Sequence, residues 1–166
     1  MLLAALFAVG AQADAISAAP VDSMLRPADR IVVRKAERRM ELYRQGAVIA
    51  SYRVSLGLVP SGHKQREGDF RTPEGSYRLT RRNARSDFFL AVQVSYPEPT
   101  DLVLARKNGW SPGGLIMVHG LPNAPKYSRD RYLSTDWTDG CIALSNEDML
   151  EFWLLTEQGT SIEIQP

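Results

Sequence analysis

The chain has 166 residues, enough for one domain with a substantial core. Its 44% hydrophobic and 23% charged residues are the balance of an ordinary soluble globular protein. A net charge of +1 sets up no strong field toward nucleic acid or an anionic membrane, and neither is an expected partner.

The first residues, MLLAALFAVGAQADA, hold an apolar run from Leu2 to Val9 followed by Ala11-Gln12-Ala13, a small-x-small cleavage pattern. The run is too short to span a bilayer as a helix. Residues 1–13 read as a signal peptide, with a short membrane anchor as the alternative, and residues 14–28 as a flexible lead-in. A periplasmic location follows from that reading. A single domain then covers residues 29–166.

Period-two patterning dominates from there. Strands are expected at 31–33, 40–43 and 48–56, the last two joined by a turn at Gln45-Gly46. The polar segment 57–73, GLVPSGHKQREGDFRTP, is long enough to be a functional loop. Strands resume at 76–80 and 88–96 until Pro97 and Pro99 stop the sheet. A short helix is expected over 100–107, with Thr100 or Asp101 near its N-cap. The run Leu115-Ile116-Met117-Val118 reads as a buried strand that delivers His119 at its end. A second long loop covers 120–139. Ser145 and Asp148 are spaced as a capping box for a helix reaching about Leu155, with Met149, Phe152 and Trp153 inward. Residues 161–164 close the pattern as a last strand. The fold class is mainly β, with two short helices and long loops.

Chemistry concentrates in TDWTDGCIALSN, residues 135–146, which holds the single cysteine, Cys141. An unpaired cysteine in an exported chain signals a partner chain or a reactive thiol. The plain alternative is a buried cysteine packing as a small hydrophobe. A thiol nucleophile needs a base, and His119, followed by the small Gly120, can serve. The turn Asp139-Gly140 would present Cys141 outward, with the backbone N–H groups of Gly140 and Cys141 aimed at a developing oxyanion. The same residues also fit a core strand 141–144 with His119 as a satisfied polar group, and spacing does not choose. His63 reads as a solvated loop residue. No CxxC or HExxH spacing is present, so no metal is expected.

Three ordered stretches carry a resemblance: Gly57 with GHKQREGDFRTPEG (62–75), IMVHG (116–120) and TDGCIAL (138–144). With them the chain resembles the L,D-transpeptidase catalytic domain, the YkuD-like family, over essentially the whole mature domain. The resemblance implies a YkuD-like β-sandwich of mixed sheets. It also implies a cysteine acyltransferase acting on peptidoglycan stem peptides. Cys141 would attack the carbonyl of the third stem residue, D-alanine would leave, and an amine would take the acyl group from the thioester. The acceptor would be another stem, a lysine of an anchored lipoprotein or a free D-amino acid. Passing the acyl group to water would instead make a carboxypeptidase or cross-link hydrolase, and loss of turnover a cell-wall-binding module. His119 matches the family's base and Gly140 the glycine of its oxyanion hole. A thioester retains the energy of the peptide bond, so no cofactor is expected, and a monomer is expected. Asp139 stands where the family commonly has histidine and is read as supporting the site, as is Gly120. Ala143 stands where the family often has arginine, leaving Arg82, Lys126 or Arg129 to bind the substrate carboxylate.

Overall fold

A computed structural model describes residues 26–166, so the expected signal peptide and most of the lead-in lie outside the described residues. The described chain is mainly β, with eight strands in one mixed sheet of order β3-β2-β1-β8-β4-β5-β6-β7. β1 (Arg30–Arg34), β2 (Arg39–Arg44) and β3 (Ala47–Arg53) form the expected meander, and β8 (Ser161–Gln165) lies parallel to β1. β4 (Gly75–Ser86) pairs antiparallel with β8 at its start and with β5 (Phe89–Val94) along the rest. β6 (Met117–His119) lies antiparallel to β5 and parallel to β7 (Ile142–Ala143).

The two ends of this sheet meet. Beyond β3, Ser55 exchanges both backbone hydrogen bonds with Ala143, at 2.9 and 2.8 Å, and Gly57 bridges Thr138. The sheet therefore curls around one core, where β1 and β8 contribute Ile31, Val33, Ile162 and Ile164 and the opposite wall contributes Val92, Val118 and Ile142. Period two accounts for the inward positions in β2 and β8, where Met40, Leu42, Ile162 and Ile164 alternate with more exposed neighbours. Each fully buried aliphatic side chain contributes about 1.5–3 kcal/mol. Hydrogen bonding runs unbroken through β4, so the expected sandwich of mixed sheets is realised as one folded sheet.

Three helices, not two, occur among the described residues. α1 (Pro99–Lys107) starts earlier than expected, because Pro99 sits in its first turn and Asp101 reaches back to the N–H of Glu98 at 2.8 Å. α2 (Arg129–Ser134) lies inside the segment expected to be loop. It is a short helix whose N-cap Ser128 accepts a hydrogen bond from the Arg131 N–H. α3 (Asn146–Leu155) starts as expected, with Ser145 accepting from the Asp148 N–H at 3.0 Å. Its Met149 and Phe152 are buried in the core, and Trp153 packs at the edge. None of the described helices is long and apolar enough to cross a membrane.

Candidate active site

The parallel register of β6 and β7 sets Val118 beside Ile142 and His119 beside Ala143. Cys141, one residue before β7, therefore lies level with Met117 at the start of β6, two residues along the parallel pair from His119 at its end. Cys141 and His119 both line one cavity of about 650 Å³. Cys141 also lines a second cavity of about 680 Å³ on its other side, and Leu115 and Asp139 share both walls.

Gly140 makes that placement possible. Its φ of +132° lies where side-chain-bearing residues are strained, and a Cβ there would sit 2.6 Å from the Arg71 carbonyl oxygen. Gly57 is equally confined, since its Cβ would meet the Phe70 carbonyl oxygen at 2.1 Å. The 57–73 loop thus lies directly on the cysteine turn. Thr138 ties this turn from within, donating its hydroxyl to the Cys141 carbonyl at 2.7 Å and accepting the Gly140 N–H at 3.1 Å.

His119 is buried, and burial pushes its imidazole down to about 4, against a smaller upward effect of its hydrogen bond to Gly120. Its Nδ1 lies 2.7 Å from the Gly120 carbonyl oxygen, which can only accept. Nδ1 therefore carries the proton and Nε2 keeps its lone pair. The ring lies between Phe88, at 4.7 Å, and Trp137, at 5.6 Å between centroids. Trp137 is fixed in turn by its indole N–H on the Tyr132 carbonyl at 3.1 Å, which gives α2 a role in shaping the site. Cys141 is partly exposed, and its thiol reaches the Leu115 carbonyl at 3.7 Å. Burial raises its pKa, the Asp139 charge raises it further, and a backbone bond from Met117 and the Lys64 charge oppose them.

The other expected residues do not all gather here. Asp139 is exposed beside the thiol, while the His119 Nδ1 is held by Gly120 and not by Asp139. Arg82 lies over the Trp153 ring at 3.8 Å and donates to the Trp153 carbonyl, away from both cavities. Arg129 pairs with Glu147 at 2.5 Å, and Lys126 is exposed and lines neither cavity. His63 is not a solvated loop residue. It accepts the Glu74 N–H on Nδ1 at 3.0 Å and meets Asp101 at 3.2 Å through Nε2, bridging the loop to α1.

Two residues of the site were not legible beforehand. Lys64, one residue past His63, is buried and lines the larger cavity. Leu115 is not part of β6: its φ is +55° and it stands 71% exposed between the two cavities. The glycines at 113 and 114 just before it were the available signal for a break in the strand.

Residues 28–164 match the model of the L,D-transpeptidase catalytic domain. The chain belongs to that family, YkuD. Over 96 residues it is 32% identical to the Escherichia coli (strain K12) protein named "Putative L,D-transpeptidase YafK", covering 54% of this chain and 37% of that one. The helical cell shape determining protein Pgp2 from Campylobacter jejuni is similar in structure, with a TM-score of 0.63 at 24% identity over 84% of this chain and 48% of that one. An L,D-transpeptidase from Mycobacterium smegmatis gives a TM-score of 0.55 at 16% identity, over 84% of this chain and 59% of that one. At these identities the structural likeness is one of fold. The chain spans 37% of the curated relative's length and about half that of these solved structures.

Proposed function

We propose that this domain is a periplasmic peptidoglycan L,D-transpeptidase with Cys141 as nucleophile and His119 as general base. One observation supports this above the rest: the register of β6 and β7 puts the only thiol and a neutral imidazole on the wall of one cavity. As the Cys141 sulfur attacks the carbonyl of the third stem residue, Nε2 of His119 takes the thiol proton. The carbon–nitrogen bond to the terminal D-alanine then breaks, and the imidazolium returns the proton to the departing amine. An incoming amine attacks the thioester, the new amide forms, and the sulfur leaves and recovers a proton. The Cys141 N–H is the oxyanion donor in this scheme, since the Gly140 N–H already meets Thr138. Attack from one cavity and acceptor entry from the other would let donor and acceptor reach the same sulfur.

The test is incubation of the protein with a disaccharide tetrapeptide, following products and intact protein mass. Cross-linked dimers with loss of D-alanine are the expected result. Tripeptide alone would replace the transferase with a hydrolase using the same thiol. Binding without adduct or product would leave only a cell-wall-binding module. Cys141→Ala abolishes both turnover and the covalent adduct.

A further inference from the structure

The smaller of the two cavities is the one that holds His119, and aromatic rings stand against the imidazole there. Phe88 lies 4.7 Å and Trp137 5.6 Å from it between centroids, and the two rings stack on each other at 6.1 Å. The uncharged polar groups around them already carry hydrogen bonds. Nδ1 of His119 faces the Gly120 carbonyl, and the Trp137 indole N–H donates to the Tyr132 carbonyl. The Thr138 hydroxyl donates to the Cys141 carbonyl and accepts the Gly140 N–H. On the hairpin, the Asn83 side-chain oxygen accepts the Arg85 N–H at 2.9 Å, and the Ser86 hydroxyl accepts the Phe88 N–H at 3.0 Å. The charged members of the lining, Arg85, Asp87 and Asp139, are all exposed. An ordered water settles where two to four polar partners hold it. The two rings beside the imidazole supply none.

We infer that the Phe88 and Trp137 rings decide the fate of the thioester, covering the His119 base so that an amine reaches the acyl group and water does not. The inference rests on the proposed function and concerns the second half of that reaction. The departing and the incoming amine both exchange a proton with Nε2, so both use this cavity, which His119 lines and the larger one lacks. In hydrolysis the oxygen of a water attacks the thioester carbonyl and Nε2 takes one of its protons. The carbon–sulfur bond then breaks, and the sulfur receives that proton from the imidazolium. Such a water must first be held beside Nε2, whereas an acceptor amine is brought there by the binding of the rest of its own molecule. Tyr132 acts through Trp137 as a positioning residue, with its ring edge-on at 4.9 Å between centroids and its carbonyl on the indole N–H.

The experiment incubates the protein with the disaccharide tetrapeptide and measures the ratio of tripeptide to cross-linked dimer, with the acyl-enzyme followed by intact mass. Phe88→Asn places a hydrogen-bonding group beside the imidazole, and Trp137→Ala opens the adjoining wall. Each should raise the ratio by about five- to tenfold, as expected when the attacking water gains one hydrogen bond. Phe88→Leu, which keeps the cover apolar, should leave the ratio at the wild-type value. The acid limb of acylation should also move upward in Phe88→Asn, since hydration of the ring favours the imidazolium. Phe88 is 36% exposed, so its substitutions carry the test should Trp137→Ala fail to fold. A ratio and an acid limb that stay at the wild-type values in Phe88→Asn, whatever the loss of total product, would make the ring a structural support and overturn the inference. So would a ratio that rises as much in Phe88→Leu as in Phe88→Asn. A wild-type chain that forms no acyl-enzyme, or that releases tripeptide alone, overturns the proposed transferase, and this inference with it.

Discussion

Cys141 and His119 are both uncharged at neutral pH, because burial raises the thiol and lowers the imidazole to about 4. A preformed thiolate–imidazolium pair requires the opposite shifts. In the proposed reaction the pair therefore acts by proton transfer during attack, with Nε2 unprotonated down to about pH 4. This sets the acid limb of the reaction. The rate of thioester formation should hold steady as pH falls through 6.5, the ordinary imidazole value, and decline only toward pH 4. Intact-mass kinetics between pH 4 and 8 measure it, and a limb centred near 6.5 would place the ring in water. The two residues proposed to react were legible as candidates because a lone cysteine and a strand-end His-Gly are conspicuous in the sequence. Lys64 was not. A lysine in a polar loop carries no mark of burial, which here arises from the loop folding onto the cysteine turn at Gly57 and Gly140.

That loop is held as an element by a second buried lysine. Lys35, just past β1, is 2% exposed and donates to the Gly62 carbonyl at 2.7 Å, the Thr72 carbonyl at 3.0 Å and Glu74 at 2.8 Å. One ammonium thus ties Gly62, within the 57–73 loop, and the Thr72 to Glu74 stretch at its end to the sheet. Burial lowers its pKa although Glu74 opposes the shift, so the charge is held at a desolvation cost. Lys35→Met leaves two carbonyls and a carboxylate without their donor, and should cost about 3 kcal/mol in urea unfolding. It should also slow acylation, because the loop forms a wall of the cavity beside Cys141. A loss below about 1 kcal/mol would mean that water replaces the ammonium. Strand positions in the β1–β3 meander followed from period two, and α3 followed from its cap at Ser145. The failures have local causes. Ser86 and Asn83 belong to β4, but the run RRNARS is polar because that arm of the hairpin is largely exposed. α2 is a six-residue helix with one buried side chain, Tyr132, too short to show a helical period.

At the scale of the molecule, the decisive feature is closure of the sheet, where Ser55 meets Ala143 across a separation that no local pattern encodes. Closure buries His119 at the end of β6, and part of the fold's stability consequently depends on that ring remaining neutral. The unfolded chain binds a proton at His119 below about pH 6.5, whereas the folded chain binds it only below about 4. Between those values the unfolded state holds more protons, so stability rises with pH and is lost as pH falls. Above 6.5 both states are neutral and His119 adds no slope. Across the window the loss amounts to roughly 3 kcal/mol. His119→Gln cannot bind that proton and should lack this part of the slope, while all carboxylates titrate alike in both proteins. Urea midpoints at pH 7, 5.5 and 4.5 isolate the effect: the wild type should lose stability relative to the variant at each downward step. Parallel losses in the two proteins would mean that the folded chain accepts the proton as readily as the unfolded one, and the neutral base assigned to the site would fall with that result.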